Sequence, residues 1–309
     1  MRVAVIGAGH LGRHHVRLAA TLPGWECVGV VDTDADRREQ VCREHGVHPL
    51  ATLAEAIERA EAAIVATPTV THREVAGAFL AAGRHVLVEK PIAASVDEAR
   101  ELTRLARAHN VVLAVGHVEF FNPAVQAVLA RRPQPRYLEA QRLSPFTHRS
   151  LDIDVVLDLM VHDIQLAQAL NPSIAVREVK AVGVPVLSGR VDLANVRLEF
   201  ASGCVANLTA SRVSSERVRK LRLFEPDGYF SIDYADQKVS AYRLVRGDGE
   251  NEIVPLQVAV ERAEPLAVEQ HAFQGACLGR PGPIVDGEGG TAALATAIAV
   301  MQAIKSTWQ

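Results

Sequence analysis

Two sets of residues in this chain have the types and spacing to move a proton at a carbon bearing oxygen. In the first, Asp158 and His162 stand four residues apart within Val155, Val156, Leu157, Leu159, Met160, Val161 and Ile164. That pattern predicts a helix over 154–170, apolar on nearly all sides and therefore buried, with the carboxylate and imidazole on one face. A histidine titrates near neutral pH and can take a hydroxyl proton, and a neighbouring carboxylate can orient it. The same pair would also serve as a satisfied core contact, and the residues alone leave both readings open. The second set is Glu89-Lys90-Pro91, which directly follows an aliphatic strand candidate at 85–88. At the carboxyl end of such a strand, where open α/β sheets bind ligands, Lys90 can hydrogen-bond a reacting oxygen. A surface ion pair with Glu89 is the alternative. Either Lys90 or His162 could accept the proton.

A third feature points to a dinucleotide. Gly7-Ala8-Gly9-His10-Leu11-Gly12 is a GxGxxG that ends a strand pattern and opens a helix pattern. Gly7 permits a tight turn, Gly9 lets backbone approach a pyrophosphate at a helix N-terminus, and Gly12 lets helix and strand pack closely. Asp32, 20 residues after Gly12, ends the second strand candidate and would accept hydrogen bonds from an adenosine ribose. A ribose phosphate would be repelled there, so NAD is expected over NADP. Arg37 and Arg38, on the first turns of the next helix, temper this because an arginine there could swing onto a phosphate, but they read as solvated.

The elements that must position these residues fall into two patterns. Strand candidates at 2–6, 27–31, 62–66, 85–88 and 111–115 alternate with helices near 11–21, 34–45, 53–60, 70–82 and 96–109, the last opened by a capping box of Ser95 and Glu98. Near-continuous aliphatic strands joined by helices predict a doubly wound parallel sheet covered on both faces. Beyond residue 118 the strands alternate instead: Ala194, Val196, Leu198 and Phe200 share one face, and further strands are expected at 204–212, 217–224, 228–233 and 237–245. With helices near 123–131, 154–170, 264–279 and 290–305, this predicts an α+β domain with an open, mainly antiparallel sheet. The domains are thus 1–118 and 119–309.

Composition excludes several functions. A net charge of −3 in 309 residues, without a long like-charge block, offers no footprint for nucleic acid or anionic lipid, and 5% aromatic residues leave little for base stacking. No apolar run exceeds five residues, against about 20 for a membrane span. Cys27, Cys42, Cys204 and Cys277 form no CxxC pair, and no His, Cys and carboxylate set has metal-ligand spacing, so a reducing compartment and no metal are expected. The chain runs from Met1-Arg2 straight into a short strand and glycines instead of a signal peptide, so the cytoplasm is expected.

The glycine loop, Ala66-Thr67-Pro68-Thr69 with His72, Glu89-Lys90-Pro91 and Asp158-Leu159-Met160-Val161-His162 occur in the order seen in the glucose-fructose oxidoreductase, inositol dehydrogenase and MocA family, which the whole chain resembles. The resemblance implies a Rossmann domain and then a substrate domain that forms dimers or tetramers through its sheet. It implies cofactor contacts from Gly7, Gly9, His10, Leu11, Gly12, Asp32, Thr67, Pro68, Thr69, His72, Glu89 and Lys90. It also implies a catalytic set of Lys90, Asp158 and His162, and a Lys90–Pro91 bond that is often cis. The segments Val115 to Pro123, Arg142 to Phe146 and Thr209 to Arg212 are similar to the branch of that family that oxidises C3 of UDP-N-acetylglucosamine, whose keto product an aminotransferase takes up on the way to lipid A. Phe120 stands where relatives commonly carry arginine. On this reading Glu119, Asn122, Arg142 and Arg212 join Lys90, Asp158 and His162 around the substrate, with the two guanidiniums suited to a diphosphate. A polyol dehydrogenase would not need those arginines, and a dinucleotide-sensing regulator would not need Lys90 together with His162.

Overall fold

The computed structural model describes residues 1–146, 153–171, 175–247 and 250–306. In chain order the elements begin with β1 (Arg2–Ile6), α1 (Gly12–Thr21), β2 (Glu26–Val31), α2 (Ala35–His45), α3 (Leu53–Arg59), β3 (Ala62–Val65), α4 (His72–Ala81), β4 (His85–Glu89), α5 (Val96–Ala108) and β5 (Leu113–Gly116). They continue with α6 (Pro123–Leu129), β6 (Tyr137–Leu143), a π-helical turn at Val156–Met160, α7 (Val161–Ala169), β7 (Val176–Val184), β8 (Leu193–Phe200) and β9 (Val205–Ser211). The last are β10 (Val218–Phe224), β11 (Gly228–Asp233), β12 (Lys238–Arg246), β13 (Asn251–Leu256), α8 (Pro265–Cys277) and α9 (Gly287–Ser306).

The chain divides into two units, Met1–Val118 with Glu264–Thr291, and Glu119–Ala263 with Ala292 onward. The return of 264–291 to the first unit departs from the expected 119–309 domain, and α8 explains it. Its buried stripe of Leu266, Glu269, Gln270, Phe273 and Gln274 finds its partners there: Phe273 packs in one cluster with Val3, Val16 and Val30, and Gln274 donates to the Pro23 carbonyl.

The first unit holds a parallel five-stranded sheet in the order β2-β1-β3-β4-β5. Strands β3 and β5 are buried at every residue, as strands covered on both faces must be. The order reverses between β1 and β3, and the chain ends after β1, β2 and β3 there make a crevice at the carboxyl edge. The capping box at α5 is present, with Ser95 accepting from the Glu98 N–H at 3.3 Å; the Glu98 side chain returns to the Ala94 N–H at 3.0 Å.

The second unit holds an eight-stranded sheet, β13-β12-β11-β10-β6-β9-β8-β7, antiparallel except for the β6/β9 pair. Ala194, Val196, Leu198 and Phe200 are buried on one face of β8, matching the alternation in the sequence. Three strands are not among the expected ones. In β6 the inward position after Leu138 and Ala140 is Arg142, which breaks the apolar pattern. β7 and β13 are the sheet edges, mostly exposed, and β13 carries Pro255, a residue tolerated only where an N–H is not needed.

The bend before β8 is organised by Asp192, which is fully buried and accepts from the N–H groups of Val186, Leu187 and Ser188 and from the Ser188 hydroxyl at 2.7–2.8 Å. Burial works against its charge, but the Ser188, Leu187 and Val186 donors prevail and hold its pKa down at about 2. Stability from a depressed carboxyl is present above the unfolded pKa and is lost as pH falls through the folded one. D192N is therefore expected to lower the melting temperature at pH 7, with the deficit shrinking between pH 4 and pH 2 in thermal melts; a deficit independent of pH would contradict this account.

Candidate active site

The glycine loop follows β1 and leads into α1. A Cβ on Gly12 would lie 2.0 Å from the Gly7 carbonyl oxygen, and Gly7 itself has φ +94° with Ala66 behind it, so neither position accepts a side chain. Gly9 differs, because its missing Cβ faces space, with the Arg37 guanidinium 3.9 Å away. That space belongs to a cavity of about 810 Å³ lined by Gly7, Gly9, Asp32, Arg37, Thr67 and Pro68 among others. Asp32 accepts from the Ala8 N–H at 2.6 Å and the Asp34 N–H at 2.8 Å, which aims its carboxylate along the loop. A dinucleotide fits these residues: free backbone at Gly9 for phosphate and a fixed carboxylate for the ribose. Arg37, expected to be solvated, lines this cavity and is tied to Asp34 at 2.6 Å. His10 and Leu11 are exposed on the loop, with Leu11 preceding the first helical residue.

On the next loops, Thr67 and Pro68 line the cavity, whereas His72 is buried and acts at one remove. Its Nδ1 lies 3.0 Å from the Pro91 carbonyl oxygen and its Nε2 2.9 Å from that of Thr67, so the ring braces the Thr67 loop against the Lys90–Pro91 turn. Burial pushes its pKa down, so the neutral ring has one N–H for these two acceptors. Thr69 opens a short 3₁₀ turn ahead of α4. The Lys90–Pro91 bond is cis, as the resemblance implies. His117, after β5, is fully buried, and burial together with the Lys90 charge pushes its pKa down to about 3, so it stays neutral.

Glu89 is the buried member of its tripeptide. It accepts from the ring of His15 on α1 at 2.8 Å and from the Lys90 N–H at 3.2 Å. Gly116, its register partner on β5, makes room, since a Cβ there would be 2.9 Å from the Glu89 carboxyl carbon. Glu89 is thus an inward-pointing residue and not a surface one, which removes the surface ion pair as its role.

In the second unit, Asp158 lies in the π-helical turn at Val156–Met160 and His162 opens α7, in place of one straight helix. π-turns of this kind cluster at functional sites. Asp154 anchors the turn: its carbonyl accepts from the Asp158 N–H at 3.0 Å and its carboxylate from the Val191 N–H at 2.9 Å. His162 is 9% exposed, so a solvent path to the ring is narrow.

Three expected substrate residues have other partners. Arg142 is buried, with its Nε and one terminal nitrogen on the two oxygens of Asp163 at 2.8 and 2.9 Å and the other on Glu119 at 2.9 Å. Burial would lower its pKa, but the Asp163 and Glu119 carboxylates raise it well above the ordinary value, so it is a permanent internal cation. Its guanidinium is therefore not open to a diphosphate. Arg212 is also buried, donating to the Ile153 carbonyl at 2.5 Å beside Asp192 at 3.8 Å. Asn122 caps α6 through the Ala124 N–H and donates to the Tyr234 carbonyl, which is a structural role. Glu119 remains partly exposed between Arg142 and Arg219, and Arg219, opposite Arg142 in register, is the exposed cation of this cluster. Phe120 packs edge-on against Phe121. His15, Asp163 and Glu269 are buried polar residues that the motif reading passed over; the signal available was a charged or polar residue on an otherwise apolar helix stripe.

Residues 1–117 match the family described as "Oxidoreductase family, NAD-binding Rossmann fold" and residues 124–230 the matching GFO/IDH/MocA C-terminal domain. Over 314 aligned residues, 100% of this chain and 99% of the relative, it is 37% identical to a UDP-N-acetylglucosamine 3-dehydrogenase from Acidithiobacillus ferrooxidans. The chain belongs to the Gfo/Idh/MocA oxidoreductase family. A solved structure of that A. ferrooxidans enzyme superposes with a TM-score of 0.91 at 36% identity, covering 100% of this chain and 99% of the other. A scyllo-inositol 2-dehydrogenase (NAD(+)) from Bacillus subtilis is 29% identical over 235 residues, 69% of this chain and 68% of the relative. Family membership and the fit of the glycine loop make the cofactor NAD. Among the described residues no helix is long and apolar enough to cross a membrane.

The two inner glycines separate folding from binding. G9A is expected to leave the melting temperature unchanged while weakening NAD binding in titration calorimetry. G12A is expected to lower the melting temperature, because its Cβ has no room.

Proposed function

We propose that this protein oxidises the C3 hydroxyl of UDP-N-acetylglucosamine to a ketone, with NAD as the oxidant. The observation that carries the reading is the full-length 37% identity to an enzyme of that name, together with both Lys90 and the Asp158/His162 pair. When bound, NAD supplies the hydride acceptor. His162 takes the hydroxyl proton, Lys90 hydrogen-bonds the oxygen as it gains carbonyl character, and Asp158 orients His162 or holds a neighbouring hydroxyl. The exchange of the two proton-handling roles between Lys90 and His162 is an equal form of the same proposal. With Arg142 and Arg212 buried, the exposed Arg219 beside Glu119 is the candidate to meet a diphosphate. The keto sugar would then serve an aminotransferase in the cytoplasm, on the route to amide-linked lipid A.

One observation favours a second reading. The same burial of Arg142 and Arg212 suits a free polyol such as inositol, which has no phosphate to bind. Absorbance of the reduced cofactor decides between them: UDP-N-acetylglucosamine, with a coupled aminotransferase to draw off product, should give signal where inositol gives none. K90M and H162Q should each lower turnover by about 100-fold or more with NAD affinity kept. Turnover of inositol alone would replace the first reading with the second.

We further propose that copies of the chain associate through the open face of the eight-stranded sheet. Tyr137, Phe224, Tyr229 and Tyr242 stand opposite one another across β6, β10, β11 and β12, with ring centroids 4.9–6.2 Å apart, and Phe224 and Tyr242 are 36% and 42% exposed. Such an exposed aromatic ladder suits a dimer or tetramer interface. Y242E should shift the mass in light scattering to the monomer; an unchanged mass would remove the ladder from the interface.

A further inference from the structure

Behind Lys90 lies a buried cluster that the reaction does not use directly. His15 of α1, Glu89 at the end of β4 and Glu269 of α8 bring one nitrogen and two carboxylate oxygens within 4.8 Å of one another. His15 and Glu269 are fully buried, and Glu89 is 7% exposed. Neither oxygen of Glu269 has a hydrogen-bond donor among the described residues. A buried carboxyl group left this way needs a proton, a metal ion or a counter-charge.

The protons can be placed from the hydrogen bonds. The Gln270 amide nitrogen donates to the His15 carbonyl at 3.1 Å, which orients the amide, and the same nitrogen lies 3.0 Å from His15 Nδ1. Nδ1 is therefore the acceptor, and the ring proton sits on Nε2, where it is donated to Glu89 at 2.8 Å. A metal would need that Nε2 lone pair, which the proton occupies. His15 is thus neutral, and two ionised carboxylates at this spacing repel each other, so only one of them is ionised. Glu89 already has two donors, His15 and the Lys90 N–H, and keeps the charge. Burial, with the Glu89 charge beside it, raises the Glu269 pKa well above that of a free carboxyl group. Of the titratable groups near Glu89, His15 and Glu269 share its cluster, His72 feels its charge, and Lys90 follows it in the chain.

We propose that Glu269 is a positioning residue that stays protonated and, with His15, holds Glu89 as a single fixed charge behind Lys90. Its role in turnover rests on the function proposed above, whereas its protonation does not. The cluster joins α1, β4 and α8, so the helix that carries the dinucleotide loop and the strand that carries Lys90 are set by the same three side chains.

Infrared difference spectra of the NAD-loaded protein against E269Q at pH 7 should show the carbonyl stretch of a protonated carboxylic acid lost in the variant. E269Q, which keeps a neutral hydrogen-bonding group, should retain the pH profile of kcat/KM. E269L should lower kcat by about tenfold or more and shift that profile, with NAD affinity held. The pH dependence of Lys90 labelling, read by mass spectrometry without substrate, should shift in E269L and not in E269Q. No carboxylic acid band, or stoichiometric zinc or manganese in the purified protein, would overturn the proposal. So would an E269L protein with wild-type labelling and profile, which would make the cluster packing alone. If no sugar is turned over, the function fails while the infrared and labelling results still decide this one.

Discussion

The close approach of α1 to the turn after β1 is the contact on which the cofactor unit depends. Gly12 meets the Gly7 carbonyl at a separation that no side chain could share, and this brings the start of α1 against the sheet edge. Two consequences follow from one approach. The amides at Gly9 face open space where a pyrophosphate can sit, and His15, one turn later, reaches Glu89 beside Lys90. A looser helix would lose both, because hydrogen bonds fall off steeply beyond their normal length.

The second unit solves a different problem, that of charge inside a sheet-covering layer. Arg142, Asp163 and Glu119 form a buried ion network in which each partner satisfies the others. Breaking such a network by removing one member costs about 3–5 kcal/mol, far more than an exposed pair, since a buried charge is left alone. The same logic, with a proton in place of a cation, governs Glu269 in the first unit. Charge is kept in both interiors only where a partner fixes it, and in both the fixed group adjoins a residue with a proposed role in turnover.

Much of the fold was legible in the order of residues. The GxGxxG, the aliphatic strands and the Ser95/Glu98 cap locate the parallel domain, because glycine loops, continuous apolar runs and caps act locally. Alternation located β8 through β12 for the same reason. It failed at β6, where Arg142 occupies an inward position, and at the edge strands β7 and β13, where one unpaired side removes the need for a strict pattern. The helix over 154–170 is present, α-helical over Val161–Ala169, and only the π-turn at Val156–Met160 was not legible, since it leaves the i, i+4 spacing of Asp158 and His162 unchanged in sequence.

By itself the sequence determined the two-domain class, the NAD site and the residues of the family motifs, since each of these depends on neighbours within one loop or one strand. Only the tertiary structure decided which charged residues are open to a ligand. Arg142, Arg212 and Asn122 had the right chemistry for substrate and were spent on internal partners 21, 20 and 112 residues away. Arg37 read as a solvated helix residue and lines the cofactor cavity, and Glu269, which no motif marked, belongs to the Glu89 cluster. The reason is that a side chain's exposure and its partners depend on which distant segment packs against it, and no local pattern encodes that distance.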